Sequence, residues 1–365
     1  MTGTGSVGTN AAPDRPYRVV QWATGTIGAR ALRQVIGHPR MQLAGLWVHS
    51  PDKVGRDASE LCGVETDEVG GLADTTGVAA TNRLDDILEL DADCVLYMPQ
   101  ACDADEVCRL LASGLNVVTT RSEFHRPASM DPDLRRRVED ACAEGGTSIH
   151  STGSSPGFIT EAVPLVLASV QRRLDMMTID EFADLSRRDS PELLFEVMGF
   201  GRAPAEFAEV RTEHARSPFG QSLALVADGL GLPLDKIDVT GEFATASRTV
   251  EIAAGRLEAG TVAAQRITVT GTRDGEPLLR FRATWYCTTE LDRLWDVRPT
   301  GWRVVVDGDA PLDIDMTFPV PMERMAAVSP AYTANRAVNA VPAVCGAAPG
   351  IRTTLDLPGI TALLA

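Results

Sequence analysis

Four charged or titratable side chains crowd into "TTRSEFHRP", residues 119–127: Arg121, Glu123, His125 and Arg126. They come directly after the apolar run "NVV". In an open α/β sheet, ligands lie beyond the carboxyl ends of the strands. A carboxylate there can act as a general base or hold a cationic amine, and an imidazole two residues on can relay a proton. Charges that follow a strand also serve as plain surface residues, and spacing alone leaves both readings of Glu123 open.

A second chemistry is written in glycines. "GTGSVG" (3–8) matches G-x-G-x-x-G without a mismatch, while "ATGTIG" (23–28) has Ala23 in the first glycine position, then Gly25 and Gly28. The pattern cradles a pyrophosphate only where a strand runs into it and a helix opens from it, because the helix supplies free N–H groups and a favourable dipole. The first match is followed by "TNAAPDRP", with two prolines and no apolar period. Residues 1–16 are read as a disordered leader. The second match lies between "YRVVQWA" and the helical "TIGARALRQVIGHP". Thr24, Gly25, Thr26, Ile27 and Gly28 are therefore expected to bind a dinucleotide. Gly25 allows close approach, Gly28 lets helix pack on strand, and Ala23 keeps the tight turn small.

The next strand ends in "WVHSPDKVGR" (47–56), with no acid at its end to hold a ribose. Ser50, Lys53 and Arg56 instead suit a 2′-phosphate. NADP is the expected cofactor, with NAD also accepted; a solvated loop is the other reading of the two cations. Met98 and Pro99, in "YMPQ", fall where a nicotinamide would lie flat, and Thr120 completes the expected cofactor set.

These residues need elements to hold them. Apolar runs at 17–23, 41–50, 92–99, 115–120 and 147–152 alternate with helical spacings at 26–39, 83–90, 103–114 and 132–146. The strand runs are continuously apolar, as when both faces of a parallel sheet are covered. The expected fold is α/β: a Rossmann doubly wound parallel sheet over 17–155. A second, α+β domain with a mostly antiparallel sheet is expected over 156–328, from the hairpin signal Asp274-Gly275 and its flanking runs of period two. A helix is expected over 158–174 and a strand over 176–186. The tail 329–365 reads as a helix packing back on the Rossmann domain. Phe158, Phe182 and Phe200 are candidates for an apolar pocket wall, or equally for core.

Net charge is −16 over 365 residues. That balance argues against nucleic acid or an anionic membrane as partner. No run of about 18 apolar residues marks a membrane span, and the first 16 residues lack a signal peptide's apolar stretch. Seven scattered cysteines form no C-x-x-C pair and no zinc spacing, so free thiols in a reducing cytoplasm, and no metal, are expected.

"YRVVQWATGTIGARALRQVI", "NVVTT", "GSSPGF" and "ANRAVNAVPAVCGAAPGI" together resemble the dihydrodipicolinate-reductase-like oxidoreductases, with the nearest likeness to the native amine dehydrogenase and 2,4-diaminopentanoate dehydrogenase branch. The likeness spans about residues 17–360. It implies a nicotinamide-dependent oxidoreductase, a two-domain homodimer, and an amine or carbonyl substrate with ammonia. It implies catalysis by the glutamate after "NVVTT", here Glu123. The paired histidines and substrate-loop lysine of dihydrodipicolinate reductase proper are missing. Ala23 and Ser155 stand where the family usually has Gly and Asn, which leaves the substrate loop open. An imine or carbonyl reductase needing no free ammonia, and a cofactor-binding regulator without catalysis, remain the alternatives.

Overall fold

The computed structural model describes residues 15–63, 75–204 and 210–365. "GTGSVG" and the expected leader as far as residue 14 lie outside the described residues. Arg15 donates twice to the carboxylate of Asp93, at 2.7 and 2.8 Å. The chain forms two compact units: residues up to Gly153 together with Ala331–Ala365, and Ser154–Pro330.

In the first unit strands and helices alternate: β1 (Tyr17–Trp22), α1 (Thr26–Ile36), β2 (Met41–Trp47), the short α2 (Ala58–Leu61) and α3 (Leu84–Leu88), β3 (Cys94–Tyr97), α4 (Ala104–Ala112), β4 (Asn116–Thr119), α5 (Pro132–Gly145) and β5 (Ser148–Ser151). Successive strand side chains point to opposite faces. Val20, Trp22 and Val95 pack with Val107 and Leu110 of α4 and Val138 of α5. Val19, Leu96 and Val118 pack with Ala31 and Val35 of α1 and with Ala337 and Val341 of the helix Met322–Cys345. Both faces are thus covered, which is why the strand sequences read as continuous apolar runs.

All neighbours in this sheet are parallel, in the order Gly350–Arg352, β5, β4, β3, β1, β2. The strand Gly350–Arg352 is an addition to the expected set. From β1 the sheet continues through β2 on one side and β3 on the other. A crevice forms at the carboxyl ends where the strand order reverses in this way.

The second unit differs from expectation at its start. The helix expected over 158–174 is shorter: it follows the non-helical Ser155, Pro156 and Gly157, continues into Val163–Ala168 (α6) and stops there. The strand β6 (Leu174–Asp184) follows, then α7 (Val210–Gly229), β7 (Lys236–Thr245), the small pair β8 (Val250–Ile252) and β9 (Gly255–Leu257), β10 (Val262–Arg273), β11 (Glu276–Tyr286), β12 (Gly301–Gly308) and β13 (Leu312–Thr317). The six-stranded sheet has the order β13, β12, β6, β11, β10, β7, and only β6 and β11 pair in parallel. Asp274 (φ 52°) and Gly275 (φ 83°) make the expected tight hairpin turn. One face is covered by α7, where Phe219 stacks on Phe281 at 4.1 Å between ring centres. Asp180, 1% exposed, accepts two N–H groups of Arg282, at 2.6 and 3.0 Å, so this buried charge is paired.

Candidate cofactor cleft and active site

The cleft opens at the reversal point of the parallel sheet. It has a volume of about 560 Å³, and Ala23, Gly25, Trp47, Lys53, Met98 and Glu106 stand around its wall.

Its first wall is the turn from β1 into α1. Ala23 sits at φ 72°, the left-handed region where a Cβ is unfavourable by roughly 1–2 kcal/mol. Two hydrogen bonds hold it there. Its N–H donates to the Trp47 carbonyl at 2.8 Å, and the buried Gln21 amide donates to its carbonyl at 2.9 Å. A Cβ on Gly28 would collide with the Ala23 carbonyl, so that glycine sets the approach of helix to strand. A Cβ on Gly25 would meet nothing within 4 Å. Gly25 begins α1 with no side-chain cap, and the first turn holds no acid. Helix-start N–H groups without a capping side chain, beside open space, fit a phosphate group.

The second wall follows β2. Lys53 donates to the Thr24 hydroxyl at 3.0 Å, which ties this loop to the glycine turn. Ser50 and His49 line the same wall. Arg56 is placed elsewhere: it pairs with Glu60 at 3.0 Å and does not line the cleft. Below them Trp22 and Trp47 stack at 4.3 Å with their rings 7° apart. Thr26 is exposed and Ile27 packs toward the core, so of the first helical turn the cleft wall takes neither.

The third wall is the stretch from β3 into α4. Met98 and Pro99 line it, together with Gln100, Ala101, Asp103 and Glu106. Sequence reasoning missed the last four, and missed His49. Thr120 is half-buried at the end of β4 and outside the lining.

Glu123 lies on a single 3-10 turn, Ser122–Phe124, after β4. Phe124, fully buried, anchors that turn in the core. Arg121 donates to Glu123 Oε1 at 2.9 Å and to the Gln100 carbonyl at 2.7 Å. It therefore links the carboxylate to a residue of the cleft wall. Glu123 Oε2 is buried and has no hydrogen-bond partner among the described residues. Such an oxygen awaits a donor, since an unsatisfied buried acceptor is costly. Burial, then the nearby Glu123 carboxylate, push the Cys102 thiol up to about 12. Cys102 is thus a protonated bystander and no competing nucleophile.

The three phenylalanines belong to the second unit. Phe158 lies 6.0 Å from Trp302 between ring centres. Phe182 lines a small hollow with Arg298, Trp302 and Met316. Phe200, 1% exposed, packs in the core with Leu194 and Leu257, the alternative reading of that residue. Among the described residues no group of His, Cys, Asp and Glu could hold a metal ion, and no helix is long and apolar enough to cross a membrane.

Residues 158–365 match the family described as the 2,4-diaminopentanoate dehydrogenase C-terminal domain. An amine dehydrogenase of Streptomyces virginiae is 30% identical over 353 residues, covering 93% of this chain and 95% of that one. A 2,4-diaminopentanoate dehydrogenase of Acetoanaerobium sticklandii is 23% identical over 288 residues, covering 75% and 76%. The structure of an amine dehydrogenase from Mycobacterium smegmatis superposes with a TM-score of 0.74 at 21% identity, over 96% of this chain and 98% of that one, and so shares the fold.

Proposed function

The chain belongs to the 2,4-diaminopentanoate dehydrogenase family, and on that footing we propose that it is an NADP-dependent amine dehydrogenase. It oxidises small aliphatic or cyclic amines and, in reverse, aminates aldehydes and ketones with ammonia. The observation that carries this reading is Glu123: a carboxylate oriented by Arg121, linked to the cleft wall through Gln100, with Oε2 buried and without a hydrogen-bond partner among the described residues.

The bound nicotinamide supplies the hydride acceptor, and donor in reverse. Glu123 Oε2 takes a proton from the substrate ammonium, which frees the nitrogen lone pair as hydride leaves the neighbouring carbon. Once that proton has passed to solvent, the same oxygen takes a proton from the water that adds to the iminium carbon and returns it to the nitrogen, which leaves as ammonia as the hydroxyl proton is lost and the carbonyl forms. Arg121 keeps the carboxylate in one orientation through both transfers. Consumption of NADPH with a panel of small carbonyl compounds tests the reading: turnover should require ammonia, and no turnover above background with ammonia present refutes it.

The preference for NADP rests on the second wall. Lys53 Nζ and the Ser50 hydroxyl stand where an NAD enzyme would place an acid. Lys53→Ala should weaken NADPH binding about tenfold or more while NADH binding changes little, because only the former carries a 2′-phosphate. Dissociation constants for both, measured by fluorescence titration, decide it; an unchanged ratio contradicts the assignment.

A further inference from the structure

The third wall ends in a carboxylate that the reaction above does not use. Glu106, on α4, lines the cleft. The Tyr97 hydroxyl donates to its Oε2 at 3.1 Å, and the Tyr97 oxygen in turn accepts the Asp103 N–H at 3.0 Å. Tyr97 is fully buried, so this chain fixes the carboxylate. Oε1 has no hydrogen-bond partner among the described residues. Asp103, the other acid nearby, is already committed. Its Oδ1 caps α4 by accepting the N–H groups of Asp105 and Glu106, at 2.9 and 3.1 Å.

The cleft is therefore polarised. The glycine turn offers free N–H groups and Lys53; the α4 side offers a carboxylate with a spare acceptor oxygen. Burial raises the Glu106 carboxyl above its ordinary value and Asp103 adds to this, while the Tyr97 hydroxyl and the His49 ring pull it back. Phosphates are repelled from that side by charge and drawn to the other. A nucleotide can offer the α4 side an uncharged hydrogen-bond donor. Its ribose hydroxyls are shared by every base, but the exocyclic amine belongs to adenine.

We propose that Glu106 is a specificity-determining residue that accepts a hydrogen bond from the 6-amino group of the cofactor's adenine. This rests on the reading of the cleft as a nicotinamide dinucleotide site. A hypoxanthine ring carries an oxygen in place of that amine. Two acceptors would then face each other, and a hydrogen bond to a charged group would be lost.

The test compares dissociation constants for NADPH and for its hypoxanthine analogue, by calorimetry on the full chain. The wild type should prefer NADPH about 10- to 100-fold. Glu106→Gln can donate its amide N–H to the 6-oxygen, and should bring the two constants within about threefold. Tyr97 can still donate to the Gln oxygen, and thermal melting checks that the variant folds. Equal binding of both cofactors by the wild type overturns the inference and leaves the cofactor reading standing. A preference that survives in Glu106→Gln overturns the role of this residue. Binding of neither cofactor by the wild type overturns the reading of the cleft, and the inference with it.

Discussion

Glu123→Gln should lower kcat about 100- to 10,000-fold and leave the NADPH dissociation constant within about twofold. Glutamine keeps the shape of the side chain, and its amide oxygen can still accept from Arg121. It has no basic oxygen to take a proton. The loss should therefore fall on both proton transfers, from the ammonium and from water. In barrier terms it amounts to about 3–5 kcal/mol. Cofactor binding is spared because Glu123 is not among the residues that line the cofactor cleft and is tied to its wall through Arg121 and Gln100. Stopped-flow turnover and fluorescence titration on one preparation separate the two effects. A fall in cofactor affinity equal to the fall in turnover would show Glu123 to be a structural residue.

Gly25→Asp and Gly28→Ala should fail in opposite ways. At Gly25 the added side chain meets nothing within 4 Å, and aspartate is a favourable first residue for a helix. Melting temperature should hold or rise slightly. The carboxylate would, however, occupy the phosphate position and take up the helix-start N–H groups. Cofactor affinity should fall by about 100-fold or more. At Gly28 a methyl group would collide with the Ala23 carbonyl, which the Gln21 amide already holds in place. Stability should fall by about 1–3 kcal/mol, or roughly 2–12 °C in melting temperature. Thermal melts and binding titrations on both variants check this. Parallel losses of both properties in Gly25→Asp would contradict the division of labour.

The parallel sheet was legible because its strands are buried on both faces and its helices keep strict apolar periods. The choice of "ATGTIG" over "GTGSVG" followed from context, a strand before and a helix after. Three features escaped for physical reasons. Gly350–Arg352 is a strand of three residues after a Gly/Pro stretch, too short for any period, and it exists only because β5 offers a free edge. The helix expected over 158–174 ends at Ala168, a stop that no glycine or proline in 169–174 marks in the sequence. Glu106 was hidden by its neighbours. "DADE" reads as an acidic first turn that complements a helix dipole, and Asp103 does serve that purpose. Only the fold brings Tyr97, nine residues back on a buried strand, against Glu106 and turns it to the cleft. Arg56 shows the converse: a cation at the expected spacing is taken by Glu60 one helical turn on.

Delivery of hydride and the ammonia nitrogen to the same substrate carbon is the core of the proposed function. It can be read in one product analysis. The protein is incubated with a small ketone, ¹⁵N-ammonia and NADPH carrying deuterium at the transferable position, and the product is examined by mass spectrometry. The expected product is an amine containing both ¹⁵N and one deuterium on the carbon that bore the oxygen. A deuterated alcohol without nitrogen would contradict it and identify a carbonyl reductase instead.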